Sequence, residues 1–145
     1  MMIRYEVNKA ITPKQFLDIL KRSGLAERRP VDDAKCIEKM IHNANLVVTA
    51  WANDKLVGIA RSVTDYSYCC YLSDLAIARA FQKKGIGREL IARTQAELGP
   101  RCAIILLSAP DAVDYYPRIG LEKHSSAWVL PREKRLKNSI FLTSK

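Results

Sequence analysis

Two glycines one residue apart stand among cations in Gln82-Lys83-Lys84-Gly85-Ile86-Gly87-Arg88. An apolar strand-like run, Tyr71 to Ile77, precedes them, and an amphipathic segment reaching Leu98 follows. At a helix start the leading backbone N–H groups lack intrahelical partners, and the helix dipole is positive there. Glycine lets the chain bend and lets a ligand reach the backbone without meeting a Cβ. The chemistry expected of this turn is capture of a pyrophosphate, with Lys83, Lys84 and Arg88 adding charge at the same end. It is neither G-x-x-x-x-G-K-[ST] nor G-x-G-x-x-G. It also follows four strand-like runs and two helices, whereas a dinucleotide turn usually belongs to the first strand of its unit.

Other reactive residue types give less. Cys36, Cys69, Cys70 and Cys102 have no C-x-x-C spacing, and His42 and His124 lie far apart, so no metal site is expected. The neighbours Cys69 and Cys70 would point to opposite faces of a strand. Trp51 and Trp128 are expected to pack in the core.

The elements that must position the turn can be read from periodicity. Ile3 to Val7 alternates like a short strand. Thr12-Pro13-Lys14-Gln15 combines a cap residue, proline at the first helical position and glutamine at the third. A helix follows, with Phe16, Leu17, Ile19 and Leu20 on its apolar face, and Ser23-Gly24 ends it. A second helix is expected from Asp32 to about Asn43. Leu46 to Trp51 and Lys55 to Val63 read as strands joined by a tight hairpin at Asn53-Asp54. Tyr68 to Ile77 is a third, central strand. Ala78 to Lys84 is a loop, and Gly85 to Leu98 a helix ended by Gly99-Pro100. Cys102 to Leu107 reads as a buried strand. Ala109 to Tyr116 is helix-compatible, with Pro117 disfavouring helical geometry at Tyr116. Strand-like pieces at Leu121 to His124 and Ala127 to Leu130 precede a basic tail. The order predicts one α/β domain over residues 1–145.

Bulk properties narrow the classes. A chain of 145 residues fits one domain, and 48% hydrophobic with 27% charged residues is a globular balance. Apolar runs such as Ala103 to Leu107 are too short to span a bilayer, and the first residues carry no signal-peptide block. A cytoplasmic protein without a membrane partner is expected. The net charge of +9 is spread over Lys21-Arg22, Arg28-Arg29, Lys83-Lys84 and Arg132 to Lys137 without a nucleic-acid-binding signature. Such a surface would help polyphosphate capture without specific nucleic-acid recognition. A homodimer is compatible with the sequence.

Leu75-Ala76-Ile77 followed by Gln82 to Arg88 resembles the acetyl-CoA signature of the GCN5-related N-acetyltransferase (GNAT) family, whose core is [QR]-x-x-G-x-[GA]. Downstream, Ala112-Val113-Asp114-Tyr115-Tyr116-Pro117-Arg118-Ile119-Gly120-Leu121 is similar to the family's A-x-x-F-Y-x-x-x-G-F segment. The chain departs from the pattern at Arg79, where proline is frequent, at Lys83, where glycine is common, and at Ala109, where many members have asparagine.

The resemblance implies a mixed, largely antiparallel sheet flanked by helices. It implies acetyl-CoA as acyl donor and direct attack of a primary amine on the thioester. Backbone groups of Leu75, Ala76 and Ile77 would pair with the pantetheine arm. Gln82, Lys83, Lys84, Gly85, Ile86, Gly87 and Arg88 would surround the pyrophosphate. Tyr116 matches the family's general acid, and Asp74 stands where some relatives carry a base, with Glu122 and His124 as lesser candidates. A CoA-binding or sensing module without catalysis and a basic nucleic-acid-binding protein remain alternatives.

Overall fold

The computed structural model describes residues 2–138. They fall into two compact units that divide between Ser108 and Ala109.

The first unit is a five-stranded sheet with helices on both faces. Its strands are β1 (Ile3–Val7), β2 (Leu46–Ala52), β3 (Lys55–Thr64), β4 (Cys69–Ile77) and β5 (Ala103–Ile105), and they lie in that order across the sheet. All neighbours are antiparallel except β4 and β5, which are parallel. The expected mixed, largely antiparallel sheet is therefore present.

Helices α1 (Pro13–Ser23) and α2 (Ala34–Asn43) share one face of the sheet. Thr12 caps α1 through the expected capping box: Gln15 N–H donates to Thr12 Oγ1 at 3.0 Å and Thr12 N–H to Gln15 Oε1 at 2.9 Å. Gly24 ends α1 at φ 88°, a left-handed conformation that favours glycine. Helix α2 begins later than expected, because Asp33 is its cap and accepts from Cys36 N–H at 3.1 Å. Phe16, Ile19, Leu20 and Ile37 pack there against Val47, Trp51, Leu56, Ile59 and Ala76.

Helix α3 (Ile86–Ala96) covers the opposite face, as strand alternation requires for the partners of Gly58. A Cβ at Gly58 would lie 3.2 Å from Leu90 Cδ1 and 3.3 Å from Ile86 Cγ2. The missing side chain on β3 therefore sets how closely α3 approaches the sheet.

Several expectations are corrected. Cys102 to Leu107 is not a buried strand: β5 is three residues long, and Ile105 and Leu107 are exposed. Among the described residues it is the edge of the sheet, paired with β4 alone. Leu121 to His124 and Ala127 to Leu130 form no strand, and Trp128 is 92% exposed rather than packed. Alternation alone makes no strand where no ladder partner is supplied.

In the second unit a 3₁₀ turn (Pro110–Ala112) precedes the short helix α4 (Tyr115–Arg118). Pro117 was expected to keep Tyr116 out of a helix, yet both are helical. Pro117 itself is tolerated as the third residue of α4, where its missing N–H has no intrahelical acceptor to lose, and the pre-proline bias at Tyr116 is a preference that the turn overrides.

Candidate functional site

The expected phosphate turn sits where β4 hands over to α3. β4 ends at Ile77, a 3₁₀ turn covers Arg79–Phe81, and the chain then enters α3. Two residues of the turn are left-handed, Lys83 at φ 63° and Gly85 at φ 84°. They bracket Lys84 and bend the backbone sharply, a habit of loops whose N–H groups converge. The first intrahelical bond runs from Glu89 N–H to Gly85 C=O at 3.1 Å. The N–H groups of Ile86, Gly87 and Arg88 precede it and are those left over at a helix start. Space around Gly85 is open, with no heavy atom within 4 Å of an ideal Cβ. Lys83, Lys84 and Arg88 are exposed at the same end, and Lys84 Nζ lies 5.7 Å from the centre of the Phe81 ring. An open bend, leftover N–H groups and three cations fit a polyphosphate anion. Gly87, in contrast, is buried against the protein.

Two side chains tie this turn to its surroundings. Gln82 Nε2 donates to Ile77 C=O at 2.9 Å and to Ser23 C=O at 3.3 Å, joining the turn to the ends of β4 and α1. Arg79, at the position where a proline is frequent in the resembled family, lays its guanidinium against Gly24. A Cβ there would come within 2.6 Å of Arg79 Nη2.

β4 itself opens toward one side. Its ladder with β5 ends at the Tyr71–Ile105 pair, whereas its ladder with β3 continues to Ile77. Among the described residues, no strand pairs with the outer edge of β4 beyond Tyr71. Opposite β3, Arg61 pairs with Asp74 and Ser62 with Leu72, so Ser73 is an extra residue and forms a bulge.

Asp74 lies at this bulge and is fully buried. Both of its oxygens are engaged: Arg29 Nε donates to Oδ1 and Arg61 Nε to Oδ2. The same guanidinium groups hold Ser73, Arg29 Nη2 donating to its carbonyl at 2.8 Å and Arg61 Nη2 to its hydroxyl at 3.0 Å. Arg61 Nη1 also donates to Met40 C=O at 3.0 Å, at the end of α2. Sequence reasoning missed both arginines. Arg61 carried a signal, since a lone charge inside an apolar strand needs a buried partner. Arg29, in the connection between α1 and α2, carried none.

Tyr116 belongs to the second unit, on α4, half-buried, with its ring edge-on to Tyr115 at 5.2 Å. In the same unit Glu122 is exposed, and His124 Nδ1 accepts from Ser126 N–H at 3.1 Å. Cys69 is exposed and Cys70 buried, as alternation requires, and burial pushes the Cys70 thiol pKa up. Among the described residues no three His, Cys, Asp or Glu are grouped to hold a metal ion. No described helix is long and apolar enough to cross a membrane. A shallow cleft of about 310 Å³ lies beside α2, near Lys9, Glu38 and His42, and no candidate site residue lines it.

Residues 17–129 match the family model described as "Acetyltransferase (GNAT) domain". An uncharacterised N-acetyltransferase of Pyropia yezoensis is 30% identical over 105 residues, which is 66% of this chain and 57% of that protein. The chain thus spans little more than half the length of that curated relative. Among solved structures, a GNAT-family acetyltransferase from Streptococcus pneumoniae superposes with a TM-score of 0.72 at 18% identity, over 91% of this chain and 100% of that one. An aminoglycoside N-acetyltransferase in complex with CoA gives a TM-score of 0.68 at 15% identity, over 92% and 96% of the two chains. At these identities the likeness is one of fold.

Proposed function

The chain belongs to the GNAT family of acetyltransferases, and from that membership we propose that it transfers an acetyl group from acetyl-CoA to a primary amine. The observation that carries the proposal is the junction of β4 and α3. A strand edge that no described strand covers leads, through the Arg79–Phe81 turn, into a bend with leftover N–H groups and three exposed cations.

Gln82, Lys83, Lys84, Gly85, Ile86, Gly87 and Arg88 would take the pyrophosphate. The carbonyls of Ser73 and Ile77 are engaged by side chains and bracket the stretch of β4 between them. Backbone groups of Leu75, Ala76 and Ile77 would pair with the pantetheine arm as an added strand. Bound acetyl-CoA supplies an activated acyl group, and the amine attacks it without an acyl-enzyme. Tyr116 would give a proton to the departing thiolate. A base at Asp74 would have to release one of two guanidinium partners to accept a proton. The proposal therefore leaves the amine proton to water and gives Asp74 a structural duty at the bulge. Membership as such is also compatible with a CoA-sensing module, which would bind the donor and never consume it.

The test is acetyl-CoA-dependent thiol release over a panel of small amines, amino acids and lysine peptides. Release with at least one acceptor above the acceptor-free rate supports transfer. CoA binding without release from any acceptor favours the sensing module.

A further inference from the structure

We infer that Arg29 is a positioning residue for acyl transfer, holding the bulge of β4 through Ser73 and Asp74; the inference rests on the proposed acetyl-CoA site. The pyrophosphate end of that site lies at the C-terminal end of β4, because the turn follows Ile77. An arm running back along the outer edge covers four residues, about 13 Å at a strand's rise, before it meets Ser73. An arm of that length would bring the reacting end of the donor to the bulge, and the bulge would then set its register.

The bulge is fixed from two elements. Arg61 reaches it from β3 and Arg29 from the connection between α1 and α2. Asp74 is the shared anion that keeps two guanidinium groups side by side. Its side chain is 0% exposed, against 7% for Arg61 and 20% for Arg29. A buried carboxylate with each oxygen taken by a different arginine is poorly arranged to abstract a proton and well arranged to fix backbone. Of the three, Arg29 contributes the contact to the Ser73 carbonyl and is the least buried, so it can be changed with the least damage to the core.

A positioning role separates binding of the donor from its reaction. Arg29→Gln should leave the calorimetric Kd for CoA within about threefold, since the bonds it loses, to Asp74 and to the Ser73 carbonyl, lie away from the pyrophosphate turn that carries most of the donor's charge. Its kcat, with the best amine of the acceptor panel, should fall about 10²-fold, the usual effect of a small misplacement of reacting groups. Arg29→Lys, which retains the charge but not the fork, should restore part of that loss. Asp74→Asn should lower kcat while the shape of the pH–rate profile stays that of the wild type.

The inference is overturned if Arg29→Gln keeps wild-type kcat in a folded protein that binds CoA. It is equally overturned if Asp74→Asn abolishes the acidic limb of the profile, which would assign proton abstraction to Asp74. A wild-type protein that does not bind CoA removes the acetyl-CoA site, and this inference with it. That outcome is distinguished from the others because it is read before any variant is made.

Discussion

Gln82 donates its side-chain amide to the carbonyl of Ile77 at 2.9 Å, so the residue that opens the phosphate turn is fastened to the residue that closes β4. The turn and the strand edge cannot drift apart while that bond holds. Gln82→Ala removes the tether and one polar group of the turn together. CoA affinity measured by calorimetry should weaken about 3- to 10-fold, the worth of one net hydrogen bond. The melting temperature should hardly change, since Gln82 is exposed.

Gly85 offers a test of backbone against space. Its φ of 84° is left-handed, yet an added Cβ would meet nothing. Gly85→Ala should therefore cost about 1–2 kcal/mol of unfolding free energy from conformation alone. Gly85→Asn should cost less, because asparagine tolerates that region. Chemical denaturation of the pair decides it; equal losses would show that the bend is not what the glycine serves.

Asp65 sets a pH dependence in the hairpin between β3 and β4. Its Oδ1 accepts from the N–H groups of Ser67, Tyr68 and Cys69 at 2.8 to 3.0 Å. Those bonds, that of Tyr68 first, hold its pKa down to about 2 from an ordinary 3.8. A depressed carboxylate pKa stabilises the fold fully above the unfolded value and loses that contribution as pH falls through the folded one. Melting temperatures of the wild type should thus drop between about pH 4 and pH 2 more than those of Asp65→Ala, which should start lower at neutral pH. Parallel curves for the two proteins would remove Asp65 from the account.

Tyr116 separates the proposed chemistry from packing. Tyr116→Phe keeps the ring and deletes the proton. With a general acid lost, kcat should fall by about 10²-fold or more while CoA affinity stays near normal. Full kcat in the variant, with chemistry rate-limiting, would mean that the thiolate leaves unaided.

Local chemistry was legible where it is self-contained. The capping box at Thr12 and Gln15, the hairpin at Asn53-Asp54 and the glycine bend at Gly85 each need only neighbours in sequence, and each is present. Features that depend on distant partners were not. Arg29 and Asp74 are 45 positions apart, and nothing local at Arg29 announces the ion pair. Ala127 to Leu130 has a strand's composition, but a strand is made by the ladder beside it. Pro117 shows the reverse error: the steric bias against helical geometry in the residue before a proline was given too much weight at Tyr116, which is helical.

The proposed function requires that the β4–α3 junction hold a CoA thioester by its polyphosphate end. Calorimetric titration of the wild-type protein with acetyl-CoA, CoA and adenosine, at low and at physiological salt, tests it most directly. Acetyl-CoA and CoA should bind far better than adenosine, and their affinity should fall as salt screens Lys83, Lys84 and Arg88. Equal, negligible heats for all three ligands would contradict the claim.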